Sequence, residues 1–178
     1  MKYKDELIRS MNWLGEKEDT IFIGQAVAFS GHAISGTLND VPIHKRHELP
    51  VMEEMQMGMS TGLALGGYVP ITIYPRFDFF VLCINQFINH LDKMREMSKG
   101  EKKPRVITRV SIGSKTPLDA GVQHTQNHTK AIQSMVTEID VVVLEEPEQI
   151  FTEFQYAYER PDSRSTIMIE YGEYYGTK

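Results

Sequence analysis

Two acids open the most informative stretch of this 178-residue chain, Leu49-Pro50-Val51-Met52-Glu53-Glu54-Met55-Gln56-Met57-Gly58. Carboxylates in the first turn of a helix favour the positive end of its dipole, and for Glu54 that role is sufficient. Gly58, Gly62 and Gly66 follow at i, i+4 and i+8, so they share one helical face. Each glycine costs about 1 kcal/mol relative to alanine in a helix interior. Such a face predicts close approach of another backbone, within the domain or across a subunit interface. The histidines include two close pairs, His44/His47 and His124/His128. An i, i+4 pair can hold zinc on a helix, but no third ligand stands at a clear spacing, so no metal site is expected in this chain. His44-Lys45-Arg46-His47 reads as a solvated or anion-facing loop. Gly113-Ser114-Lys115-Thr116 has the tail of a phosphate-binding loop, but Ser114 stands where that motif needs glycine before lysine. No G-x-G-x-x-G follows a strand, and no G-x-S-x-G elbow is present.

The elements that must position these residues follow from hydrophobic period. Residues 2–15 carry Leu7, Ile8, Met11 and Leu14 at helical spacing. Thr20–Gly24 is a short β-rich run, and Gln25 to Leu49 is a long segment with little periodicity, of the kind that is usually functional. Helix is predicted over 53–66, strand over Val69–Tyr74, and the longest helix over 78–98, with a basic tail that complements its dipole. A strand over Arg105–Ile112, a helix over 127–138, a strand over Val141–Leu144, a helix over Glu148–Tyr158 and a last strand over Thr166–Ile169 complete the order. About five strands alternate with helices, and the strands are continuous apolar runs. That pattern predicts an α/β fold of three layers, a mostly parallel sheet with helices on both faces. Ligands in such sheets sit outside the carboxyl ends of the strands, after Ile23, Tyr74, Ile112 and Leu144.

Composition bounds the function. Hydrophobic residues make up 41% and charged residues 24%, which suits a packed globular domain and excludes disorder. The net charge is −5, so the basic footprint that nucleic acid or an anionic membrane requires is missing. The single cysteine, Cys83, excludes an internal disulfide framework and reads as a buried thiol in a reducing compartment. No apolar stretch follows Met1–Glu6 and no window approaches a membrane span, so the expected location is the cytoplasm.

Pro50-Val51-Met52-Glu53, four residues, then Gly58 and a small-residue helix ending Gly66-Gly67, resembles the pyrimidine-binding domain of thiamine-diphosphate enzymes. The likeness is to the beta subunits of 2-oxo acid dehydrogenases of the pyruvate dehydrogenase type, within the transketolase superfamily. The match continues through Tyr74-Pro75-Arg76-Phe77-Asp78-Phe79, through Gln86-Phe87-Ile88-Asn89 to Gly100, and to Gln123-His124-Thr125-Gln126. Four ordered matches span residues 50–126.

The resemblance implies a role for each matched position. Glu53 would meet a pyrimidine ring nitrogen and favour the imino tautomer, whose exocyclic nitrogen can remove the thiazolium proton. Burial of that carboxyl favours its neutral form and the helix amino terminus favours the charged one. Phe79 would set its ring against the pyrimidine, in competition with Phe77 and Phe80 as core residues, and Pro75 would line the cofactor pocket. His124 would face the reacting end and serve a substrate carboxylate, an oxyanion or a proton. His128 reads as structural. The family's acid after the first strand is here Gln25, which can hydrogen-bond a cofactor but cannot relay a proton. Leu49 stands where the family has a threonine.

Nothing in the sequence resembles the Gly-Asp-Gly…Asn signature that holds magnesium and the diphosphate. The resemblance therefore implies one pyrimidine-binding domain over residues 1–178, with no carboxyl-terminal domain. A separate diphosphate-binding alpha-type subunit would supply most of the magnesium site and complete a heterotetramer. The leading expectation is a 2-oxo acid decarboxylase or dehydrogenase subunit that transfers an acyl or activated-aldehyde unit. One alternative is a split transketolase moving a two-carbon ketol unit between sugar phosphates. The other is a non-catalytic regulatory or scaffold domain of the same fold.

Overall fold

A computed structural model describes residues 1–116 and 119–178. Its elements in chain order are helix α1 (Tyr3–Gly15), strand β1 (Thr20–Gly24), strand β2 (Arg46–Glu48), helix α2 (Glu53–Leu65) and strand β3 (Val69–Tyr74). Then come short helices α3 (Phe77–Phe80) and α4 (Met94–Met97), strand β4 (Ile107–Ile112), helix α5 (Thr129–Met135) and strand β5 (Asp140–Leu144). Helix α6 (Pro147–Glu159), strand β6 (Thr166–Tyr171) and a final turn of helix, α7 (Tyr174–Thr177), close the chain.

The strands form one parallel sheet in the order β2-β1-β3-β4-β6-β5. Side chains alternate between its faces, so it has two apolar layers. On one side α1 brings Leu7, Met11 and Leu14, and α6 brings Ile150 and Phe154, against Phe22, Ile71, Ile107 and Met168. On the other side Met57 of α2, Phe77, Phe80, Phe87 and Ile132 of α5 cover Tyr74, Val110, Ile167 and Ile169. The expected three-layer α/β architecture is therefore found. Helix α6 starts on a proline and a capping box in which Glu146 and Gln149 satisfy each other's backbone amides.

Three expectations are corrected. The sheet has six strands rather than five, because Arg46–Glu48 lies parallel to β1 at the sheet edge. Its side chains are half-buried or exposed, so it carries no apolar signal. The helix expected over 78–98 is broken. After α3 comes a tight turn at Val81–Cys83, then a π-helical stretch over Gln86–Leu91, then α4. A π-turn inserts a residue into the i, i+4 ladder while keeping one apolar side on the sheet. Nor are the strands wholly apolar. Arg109 of β4 and Glu170 of β6 are both fully buried and paired with each other. Burial opposes the guanidinium charge, but Glu170 outweighs it and holds the Arg109 pKa above its ordinary value. Tyr175 of α7 hydrogen-bonds both partners, and Arg109 Nη1 donates to Thr37 Oγ1 at 2.8 Å. Cys83 is buried as expected, and burial raises its thiol to about 12.

Strand order reverses between β1 and β3. The chain runs outward from β1 to β2, then crosses back to β3 on the other side. Loops leaving neighbouring strands at such a point diverge and open a crevice at the carboxyl ends. Gln25 follows β1 there, Pro75 follows β3, and α2 begins beside them.

Candidate functional site

Glu53 is the first residue of α2 and is only 3% exposed. The preceding Met52 caps the helix with no side-chain bond, so the first turn has free N–H groups and two carboxylates. That arrangement suits negative charge. Gln25 Nε2 donates to Glu53 Oε1 at 3.0 Å. This is the one side-chain bond to Glu53 among the described residues, and it leaves Oε2 free. An open cleft beside it is lined by Met52, Glu53, Gly58, Met59, Leu82 and Gln86.

One helical turn further on, Gln56 is fully buried and anchors α2 to the sheet. Its Nε2 donates to Thr72 Oγ1 at 2.9 Å and to the Ile73 carbonyl at 3.0 Å. Gly24 makes room for this contact. Its φ is +145°, and a Cβ there would stand 2.2 Å from the Ile73 carbonyl and 2.8 Å from Gln56 Nε2. Only glycine fits, and the chain then turns directly into Gln25.

The second group of residues gathers around α3 and the loop before α5. Phe77 and Phe80 are fully buried in the core, whereas Phe79 keeps a half-exposed ring. That ring meets the His124 imidazole edge-on, with centroids 5.4 Å apart and planes at 79°. The same loop is tied down on both sides of the contact. Gln126 Nε2 donates to Asp78 Oδ1 at 2.8 Å, and the His128 ring packs edge-on against Phe77 at 5.4 Å. Among the described residues, the buried His124 Nδ1 has no hydrogen-bond partner. Gly113 allows the close approach, since a Cβ there would lie 1.8 Å from the His124 carbonyl oxygen. Pro75 is buried, and its carbonyl accepts from Arg76 Nη1 at 3.2 Å.

The structure thus joins the expected residues in two pairs, Gln25 with Glu53 and Phe79 with His124. No hydrogen bond joins one pair to the other among the described residues. Among the described residues, no backbone of another element packs against Gly58 or Gly62. Nothing lies within 4 Å of a Cβ placed at Gly62, and Gly58 meets only the Gln86 side chain, at 3.8 Å. His44 and His47 are exposed, but the segment is not the loop expected: Ile43–Lys45 forms a helical turn and His47 lies in strand β2. No three His, Cys, Asp or Glu side chains gather to hold a metal ion among the described residues. No helix of these residues is long and apolar enough to cross a membrane.

Two arrangements were not foreseen. The Glu48 carboxylate accepts hydrogen bonds from the backbone N–H groups of Ala26, Val27 and Ala28 at 2.7–2.8 Å. Arg76 Nη1 also reaches His32 Nε2 at 2.6 Å. A guanidinium can only donate, and the Ile34 N–H points at Nδ1 at 3.2 Å, so both ring nitrogens face donors and the charged imidazolium is disfavoured. Burial, then the Arg76 charge, pushes the His32 pKa down to about 4. Both arrangements join segments 20 or more residues apart, which no local pattern announces.

The parallel sheet thus sets a buried carboxyl and its amide partner at the point of strand reversal, the place where ligands of such sheets sit. No protein-family model matches the chain. The "3-methyl-2-oxobutanoate dehydrogenase subunit beta" of Mycobacterium tuberculosis is 24% identical over 151 residues, which cover 82% of this chain and 42% of that protein. The "Pyruvate dehydrogenase E1 component subunit beta, mitochondrial" of Saccharomyces cerevisiae is 29% identical over 117 residues, 64% of this chain and 31% of that one. A solved structure described as "Split gene transketolase, inactive beta4 tetramer" superposes with a TM-score of 0.71 at 15% identity. That superposition covers 96% of this chain and 51% of the other. The chain therefore spans less than half the length of the curated relatives it matches. Its relatives are 2-oxo acid dehydrogenase beta subunits and its fold is transketolase-like, in agreement with the thiamine-diphosphate pyrimidine-domain superfamily that its motifs resemble.

Proposed function

We propose that this chain is the pyrimidine-side subunit of a split thiamine-diphosphate-dependent enzyme of the 2-oxo acid decarboxylase or dehydrogenase type. One observation carries the reading. The buried Glu53 carboxyl has one oxygen held by Gln25 and the other free, at the lip of an open cleft.

Thiamine diphosphate, when bound, supplies a carbanion on its thiazolium ring. The residues of this chain bind, orient and handle protons around it. Glu53 Oε2 is the group that would share a proton with a pyrimidine ring nitrogen. Gln25 acts on Glu53 itself by donating to Oε1, so it is a positioning residue, and a cofactor contact would be additional. Phe79 offers a ring that is not absorbed by the core, worth about 0.5–1.5 kcal/mol in stacking beyond area burial. Pro75 holds the turn ahead of it. His124 offers an imidazole to a substrate carboxylate or oxyanion at the reacting end.

The partner in this reading is an alpha-type subunit that binds the diphosphate and most of the magnesium coordination, in a two-plus-two heterotetramer. The open Gly58–Gly62 face supports it, together with the exposed side chains of Met59, Leu65 and Leu82. Exposed apolar side chains beside an open cleft are the kind of surface that marks interaction sites. The substrate is a 2-oxo acid. A split transketolase acting on a ketose is the second reading, favoured by the transketolase-like superposition.

The test is calorimetric titration of thiamine diphosphate with magnesium into the chain co-purified with the product of its neighbouring gene. Binding followed by turnover of pyruvate supports the reading. Turnover of xylulose phosphate instead selects the transketolase reading, and no binding leaves only a scaffold role.

A further inference from the structure

Glu48 is the last residue of β2, and its two carboxylate oxygens receive three consecutive backbone amides. Ala26 N donates to Oε1 at 2.7 Å, and Val27 N and Ala28 N donate to Oε2 at 2.8 and 2.7 Å. Consecutive amides converge on one point only when the chain coils into an anion-binding nest. Ala26 pays for that coil with a φ of 58°, a left-handed value that alanine rarely adopts. Three amides aimed at one point would be left orphaned without a negative partner.

The residue ahead of this nest is Gln25. Gly24, on its other side, is held by strand pairing to Glu48 and Ile73, and its carbonyl accepts from Leu49 N at 2.8 Å. Gln25 is therefore fixed from both flanks, and its amide meets Glu53 Oε1 at 3.0 Å. Glu48 and Glu53 are themselves joined by four residues that include Pro50, whose ring limits the slack between them. The result is a closed circuit, from Glu48 through the nest to Gln25, to Glu53, and back along the chain.

We infer that Glu48 is a positioning residue for the proposed cofactor site, because it coils the loop after β1 so that Gln25 locks one oxygen of Glu53 and leaves the other to the cleft. The inference rests on the function proposed above. Glu48 itself touches neither cofactor nor substrate in this account. Its effect passes through Gln25.

The test uses the full chain, labelled with nitrogen-15, and reads the Gln25 side-chain amide resonance, assigned by its disappearance in Gln25→Ala. Glu48→Ala is expected to move that resonance to the position of a solvated glutamine, together with the backbone amides of Ala26, Val27 and Ala28. The amides of β4 and β6 are expected to stay in place. Glu48→Gln keeps the size and one acceptor oxygen, and serves if the alanine variant does not fold. In the co-purified complex, Glu48→Ala and Gln25→Ala are each expected to lower kcat by about 10- to 100-fold. The double variant is expected to fall no further, since both act through one contact. An unmoved Gln25 side-chain resonance in both Glu48 variants, or a double variant whose losses multiply, would overturn the positioning role. A wild-type complex that binds no thiamine diphosphate would overturn the functional reading instead, and the resonance would still decide what Glu48 does.

Discussion

The His124 imidazole stands edge-on to the Phe79 ring, with centroids 5.4 Å apart, although Phe79 lies in helix α3 after β3 and His124 in the segment after β4. Phe79 is the one of three neighbouring phenylalanines that keeps exposed ring surface, while Phe77 and Phe80 are buried in the core. The contact brings a proposed cofactor-facing ring and a proposed substrate-facing imidazole into one wall.

Because Phe79 is half-exposed, Phe79→Leu is expected to cost less than about 1 kcal/mol of stability. Phe80→Ala, in the core, is expected to cost about 3–5 kcal/mol. Denaturant unfolding of the chain checks both. In the co-purified complex Phe79→Leu is expected to weaken thiamine diphosphate by roughly three- to tenfold, the loss of one stacking contact. Titration calorimetry reads that change.

Gly113 is the hinge of the same wall. A methyl group there would sit 1.8 Å from the His124 carbonyl oxygen, a backbone atom that cannot rotate away. Gly113→Ala is expected to destabilise the chain by about 1–3 kcal/mol through overpacking and to displace His124 from Phe79. Thermal unfolding, with the His124 ring resonances as the local reporter, measures both effects.

The Arg109–Glu170 pair lies at zero exposure in the middle of the sheet. Glu170→Gln leaves a buried charge without its counter-charge, at an expected cost of about 3–5 kcal/mol. Arg109→Met with Glu170→Leu removes both charges and is expected to recover much of that loss. Comparing unfolding free energies of the single and double variants decides whether the pair stabilises the fold or is costly only when broken.

His32 predicts a pH dependence. Its folded-state pKa of about 4 lies below the unfolded value of 6.5, so the unfolded chain binds the extra proton first. Stability is then fully present above about pH 6.5, declines as pH falls towards 4, and changes no further from this group below that. The ring is partly exposed, so solvent screening reduces the effect to roughly 1–2 kcal/mol. His32→Gln is expected to flatten the stability profile between those limits, and an unchanged profile would rule the residue out as its source.

The parallel sheet, the helix starting at Glu53 and the buried thiol of Cys83 were legible because each rests on a local pattern of apolar spacing. Strand β2 was not, since Arg46-His47-Glu48 is polar on both faces and forms only by pairing with β1. The break in the helix after Phe77 escaped because the π-turn keeps the apolar residues on one side. The partners of Arg109 and Glu48 stand 61 and about 20 residues away in sequence, so their chemistry exists only once the chain has folded. Motif resemblance selected Glu53 over Glu54. The geometry adds the bond to Gln25 that distinguishes the two acids physically.

The most direct test of the account is calorimetric titration of thiamine diphosphate with magnesium into the co-purified complex, comparing the native chain with Glu53→Gln. Glutamine keeps the shape and cannot hold a shared proton. Saturable binding and pyruvate turnover by the native complex are expected. Glu53→Gln is expected to lower turnover by at least about 100-fold, with folding and assembly intact. Equal turnover by the two complexes, or no cofactor binding by the native one, would contradict it.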